Sequence, residues 1–189
     1  MKNLPVILLI GSSGSGKTTI AEFLNLRNGW TQIESYTTRK PRFDGERGHT
    51  FITDEEFDRL TDIVAYTDYN GYRYCATAQQ IDDNQLYVVD VPGVETLLQN
   101  YKGGKEFVAV NISLSDTVRR ERMAERGDSD AKIEERIAND KTDFDNAFAR
   151  LVELLGEDRV VAMSLDSSAE IAAAIENYLY TKGYEWETI

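Results

Sequence analysis

Cysteine is nearly absent from this 189-residue chain: Cys75 stands alone. No disulfide can therefore form within it, and the usage suits a reducing cytoplasm. Histidine is equally scarce. With His49 as the sole histidine, a histidine-based triad and a multi-histidine metal site are both excluded. Proline is rare, and the sequence contains no Pro-rich linker, internal repeat or low-complexity tract. No apolar run reaches the roughly 20 residues that a membrane span needs. Positive charge is also short, with 21 Lys and Arg against 33 Asp and Glu and a formal net charge of −12. That balance argues against a generic polyanion-binding surface, because a nucleic-acid backbone requires a basic stripe. Neither a nucleic-acid polymer nor a membrane is expected as a partner.

The cations that are present cluster, in Arg39-Lys40-Pro41-Arg42 and in Arg119-Arg120-Glu121-Arg122 with Arg126. Local basic islands in an acidic chain suit a small, highly charged ligand. Arg119 and Arg120 are expected at the surface, with Arg126, just before Gly127, the better candidate for a mobile lid.

The opening Met1-Lys2-Asn3-Leu4-Pro5 precedes an apolar run over 6–10. No small-residue cleavage site follows, so the run is expected to be a buried first strand rather than part of a signal peptide. A helix is predicted over 17–27, stopped by Asn28-Gly29. Residues 35–81 differ in composition and read as a small β-rich insert. Within it Thr53-Asp54-Glu55-Glu56 predicts a capping box opening a helix through Leu60. The stretch 63–76 alternates around Asn70-Gly71, which predicts a tight hairpin. Strands are expected over 86–90, 107–112 and 160–165, and helices after Pro92-Gly93-Val94, after Ser115-Asp116, from near Ala131, over 144–155 and after Ser167-Ser168. Such βα alternation with one early insert implies an α/β protein with a parallel sheet.

Gly11-Ser12-Ser13-Gly14-Ser15-Gly16-Lys17-Thr18 matches the full G-x-x-x-x-G-K-[ST] pattern between a strand and a helix start. The glycines let the backbone wrap phosphate, Lys17 supplies charge to the outer phosphates, and Thr18 offers a hydroxyl to Mg²⁺. ATP with Mg²⁺ is the expected ligand, held by Gly11, Ser12, Ser13, Gly14, Ser15, Gly16, Lys17, Thr18 and Thr19.

Two arginines three residues apart, stiffened by Pro41, form a clamp for a second phosphate. The loop, the S-x-T-T-R-x-P-R segment over 35–42, the small insert and the Arg-rich stretch together resemble guanylate kinase, from the first strand to about residue 140. The resemblance implies a P-loop NTPase fold of three α/β/α layers with a parallel central sheet. Its parts would be a core over 1–34, 82–120 and 140–189, an acceptor-binding insert over 35–81 and a short helical lid over 121–139. It implies transfer of the ATP γ-phosphoryl to GMP or dGMP. Ser35, Arg39, Arg42, Tyr74 and Asp90 would hold the acceptor, and Arg122, Arg126 and Arg136 would close over ATP. Lys17, Arg39, Arg126 and Arg136 would be catalytic. His49 either lines the acceptor pocket or caps its strand.

Where the family reads guanine with polar side chains, this chain carries Ala65, Ala76 and Val88, with His49 and Pro92 also departing from the pattern. Asp68 would replace the carboxylate missing at Ala65 if the hairpin register allowed. Two alternatives therefore stay open. One is the same chemistry on another acceptor, such as a different or modified nucleotide or ribose 1,5-bisphosphate. The other is a non-catalytic binding module. A monomer or homodimer is expected. Asp82, Asp83, Asp143 and Asp145 read as solvated acids, and the tail Tyr184-Glu185-Trp186-Glu187 has no explanation in the pattern.

Overall fold

A computed structural model describes residues 3–144 and 146–187. Asp145 and the last two tail residues, Thr188 and Ile189, lie outside the described residues, as do Met1 and Lys2. The side chains of Thr142 and Asp143 also lie outside them.

The first strand, β1 (Val6–Gly11), is buried throughout. It runs at the centre of a parallel sheet between β6 (Leu86–Val88) and β7 (Phe107–Ile112), and β8 (Val160–Met163) completes the order β6-β1-β7-β8. An uninterrupted apolar run suits this place because both faces of a parallel strand are covered. The alternation of β1 divides two cores. Ile7 and Leu9 join Ile20 and Leu24 of α1 (Lys17–Asn28) with Ile171, Ile175 and Leu179 of α8 (Ser168–Thr181). Val6, Leu8 and Ile10 face Val94 and Leu97 of α4 (Val91–Asn100) and Leu151 and Leu155 of α7 (Ala147–Leu155). This is a three-layer α/β/α core.

Between β1 and β6 the chain forms a second sheet, ordered β3-β2-β5-β4, from β2 (Ser35–Thr37), β3 (His49–Phe51), β4 (Ile63–Tyr69) and β5 (Tyr72–Thr77). Asn70 and Gly71 take φ of 52° and 75° at the hairpin turn. These successive left-handed residues give the turn whose twist matches its strands. Thr53 and Glu56 form the reciprocal capping box of α2 (Asp54–Phe57), a helix that ends before Leu60. A second capping box, Thr77 with Gln80, opens α3 (Ala78–Asp83), a helix the sequence pattern did not predict.

Beyond β7, Ser115 caps α5 (Asp116–Glu125), and α6 (Asp130–Phe144) follows after Gly127. The helix expected over 144–155 is α7, which starts later, with Asn146 at its N-cap, and Phe144 is the last residue of α6. The division lets the strongly amphipathic α7 lay Ala147, Leu151 and Leu155 on the sheet, independent of the direction of α6. The tail also acquires a role. Tyr184 donates from its hydroxyl to Glu106 at 2.7 Å, Trp186 Nε1 donates to Asn28 Oδ1 at 3.0 Å, and the Trp186 ring meets Trp30 edge-on at 5.2 Å. It fastens α8 to the end of α1. Among the described residues, no helix is long and apolar enough to cross a membrane.

Candidate active site

The phosphate loop leaves the C-terminal end of β1, and its last glycine is the N-cap of α1. Gly16 is left-handed there, with φ 87°, and supplies no side-chain cap; the first turn of α1 carries no acid. The helix start therefore presents open N–H groups and an uncompensated positive dipole end, the arrangement that suits an anion. A Cβ on Gly14 would stand 2.8 Å from the Arg119 carbonyl oxygen, so the loop and α5 approach as backbones. A Cβ on Gly16 would meet Ser168 Oγ at 2.7 Å.

Lys17 reaches back over the loop and donates to the carbonyls of Gly11 and Ser12, the latter at 3.1 Å, and to Ser15 Oγ at 3.3 Å. Burial lowers its pKa to about 8; Asp140 opposes the shift, while Arg119, Arg42 and Arg126 add to it. Thr18 and Thr19 stand exposed in the first turn of α1. Among the described residues no group of three or more His, Cys, Asp or Glu side chains could hold a metal ion. Among the described residues such a cluster is therefore not at hand, whereas the Thr18 hydroxyl has the chemistry of a single protein ligand for an ion that arrives on nucleotide phosphates.

Arg39 is 9% exposed at the end of β2. Its Nε donates to the Tyr74 hydroxyl at 3.2 Å, and Nη1 and Nη2 donate to the two Glu46 carboxylate oxygens at 3.0 and 2.9 Å. Arg42 donates to the same carboxylate from its backbone N, at 2.6 Å, and from Nη1, at 3.2 Å. The pair of arginines thus converges on one bidentate anion, and that anion is Glu46, a residue the motif reading passed over. An acid four residues beyond Arg42 was the available signal.

Burial, followed by repulsion from Arg39 and Arg136, depresses the Arg42 guanidinium to about 10. Arg126 and Arg136 share Asp128, which Arg136 approaches at 3.9 Å. Arg122 bridges the phosphate loop and the segment before α8, donating from Nη1 to the Ser15 carbonyl at 3.3 Å and from Nη2 to that of Asp166.

Ser35 Oγ lies 2.9 Å from His49 Nδ1 across the parallel β2–β3 pairing, and the His49 ring meets Tyr74 edge-on at 5.6 Å. Burial, with Arg39 next, pushes the His49 pKa down to about 4. The ring is neutral near pH 7. Asp90 caps α4 by accepting from the Gly93 N–H at 2.8 Å and accepts from Thr67 Oγ1 at 2.9 Å, tying the hairpin to the core.

The hairpin register settles the position of Asp68. Ala65 pairs with Ala76 and Thr67 with Tyr74, so these side chains share the face that carries Thr67 to Asp90. Asp68 belongs to the other face, where its carboxylate accepts from the Tyr66 hydroxyl at 2.8 Å. It does not stand in for a carboxylate at Ala65. Val88 packs against the core beneath α1, and Pro92 lies in the first turn of α4.

Arg119 corrects the surface expectation. It is 4% exposed, donates from Nε to the Ser13 carbonyl at 2.8 Å and pairs through Nη2 with Asp140, itself 2% exposed. A helical charge run hides such a residue, because sequence spacing does not show which of the arginines on α5 faces the loop. Arg120 remains half-exposed and pairs with Glu134.

Against known proteins, residues 7–144 match the family model described as AAA domain. A guanylate kinase of Fusobacterium nucleatum is 26% identical over 75% of this chain and 83% of its own length. One of Helicobacter pylori is 29% identical over 71% and 70%. The crystal structure of guanylate kinase from Anaplasma phagocytophilum superposes with a TM-score of 0.58 at 22% identity, covering 96% of this chain and 88% of that one. With the phosphate loop and its lysine in place, the chain belongs to the family described as AAA domain and, in its likeness to curated guanylate kinases, is a guanylate-kinase-like, ATP-dependent nucleoside monophosphate kinase.

Proposed function

We propose that the protein transfers the γ-phosphoryl of ATP·Mg²⁺ to the phosphate of GMP or dGMP, forming the diphosphate. The observation that supports the reading is the approach of two cationic groups. The phosphate loop holds Lys17, and the Arg39–Arg42 clamp faces it closely enough for Arg42 to act on the Lys17 charge. The acceptor phosphate is itself the nucleophile, so the chain needs no nucleophile or base of its own. Catalysis is alignment of two phosphates and neutralisation of the charge between them.

In this reading residues 11–19 hold ATP, and Thr18 holds the Mg²⁺ that the nucleotide carries, which neutralises the phosphates during transfer. Lys17, Arg126 and Arg136 meet the transferring group, and Arg122 meets the ATP. Arg39, Arg42 and Tyr74 take the acceptor phosphate, displacing the Glu46 carboxylate. Ser35, His49 and Asp90 line the acceptor site. Segment 35–81 is the acceptor-binding insert and 121–139 the lid, whose closure excludes water.

A second reading keeps the chemistry and changes the acceptor. Ala65 and Ala76 are both fully buried on the hairpin face that carries Thr67 and Tyr74, and Asp68 faces away. That face offers no carboxylate to guanine N1–H and N2–H₂ at the matched position. ADP release across all ribo- and deoxynucleoside monophosphates and ribose 1,5-bisphosphate separates the two. The first reading expects GMP or dGMP to lead; turnover confined to another acceptor would replace it with the second. ATP binding without turnover on any would support a binding module.

A further inference from the structure

The backbone of Ser13 is held at both of its polar groups by one buried ion pair. Its N–H donates to Asp140 Oδ2 at 2.8 Å, and its carbonyl accepts from Arg119 Nε at 2.8 Å, while the two side chains pair with each other. Arg119 stands on α5 and Asp140 on α6, so two helices outside the loop fix a residue within it. Asp140 Oδ1 also accepts from the Tyr69 hydroxyl at 3.2 Å, and Asn139 Nδ2 donates to Asn70 Oδ1 at 3.1 Å. The tip of the hairpin therefore rests on the same turn of α6.

We propose that Asp140, acting with Arg119, is a positioning residue that sets the phosphate-binding shape of the loop from α6. The proposal rests on the loop as the nucleotide site, not on the identity of the acceptor. A buried charge pair that served only stability would be a poor choice, since an apolar pair of similar volume is usually as stable or more so. Here the pair spends its hydrogen bonds on the loop backbone.

The test is binding of ATP·Mg²⁺ by titration calorimetry, with the Tm of each protein recorded. Asp140→Asn should weaken binding about tenfold, as expected for loss of charge-assisted hydrogen bonds. Asp140→Glu, which keeps the charge, should recover part of that affinity. Fold loss alone would reduce the active fraction without changing the affinity of the folded remainder. Arg119→Met with Asp140→Leu removes both charges and preserves folding. It should keep the parent Tm within a few degrees and still lose about tenfold in affinity. Parent-like affinity in this double variant would overturn the proposal. Failure to transfer phosphoryl to any acceptor would count against the proposed function and leave this binding test decisive for Asp140.

Discussion

At the scale of single residues the site is defined by charges whose states the fold controls. Lys17 is the one cation within the phosphate loop, and its amine has no substitute among the loop's own groups. Lys17→Ala should lower kcat by about a thousandfold, the loss of roughly 4 kcal/mol of transition-state stabilisation. Steady-state kinetics with saturating acceptor would show it; a loss under tenfold would remove Lys17 from the chemistry.

His49 has a different consequence. Its pKa falls from the ordinary 6.5 to about 4 through burial, with Arg39 and Arg42 adding and Glu46 opposing. The unfolded chain takes up this proton first as pH falls. The stability tied to the neutral ring is therefore present above pH 6.5 and is lost between 6.5 and about 4. Denaturant unfolding of the parent and His49→Asn over that range should diverge at neutral pH and converge toward pH 4. A constant difference would contradict the assignment.

At the scale of elements, legibility followed how local each signal was. β1, α1 and the Asn70-Gly71 hairpin are written in contiguous residues, and each lies where its pattern put it. The Thr77–Gln80 capping box was equally local, but α3 is a short helix directly after a strand and its box was not read. The break between α6 and α7 is marked by neither proline nor glycine, so the two helices are legible but the second is expected from Phe144, ahead of its Asn146 N-cap.

In the site, residues tied to a motif were named, whereas their counterions were not. Glu46, Asp128 and Asp140 act through partners brought close by the chain's path, and spacing does not encode that path. The tail is similar, since Trp186 gains meaning only from Trp30 and Asn28, far away in sequence. Trp186→Ala should cost about 2 kcal/mol, less than a fully buried tryptophan because this one is half-exposed. That corresponds to a fall in Tm of about 5 °C. Calorimetry would reveal it, with nucleotide affinity unchanged because the contact lies at the opposite end of α1 from the phosphate loop; an unchanged Tm would make the tail a passive extension.

At the scale of the whole molecule an acidic protein, with net charge −12, brings Lys17, Arg39, Arg42, Arg119, Arg126 and Arg136 within electrostatic reach of one another. The surrounding acidity discourages long polyanions, while such a cluster suits short phosphates, as the proposed function requires. Glu46, Asp128 and Asp140 keep the cluster compatible with folding until phosphates arrive. On the proposed function, a loop for one phosphate and an arginine clamp for another favour transfer between substrates over release to water.

The most direct measurement follows the label of [γ-³²P]ATP in the presence and absence of acceptor, using the panel of monophosphates. The account predicts that label passes into the acceptor, only when acceptor is present, and not with Lys17→Ala. Label released as inorganic phosphate at the same rate without any acceptor would contradict it.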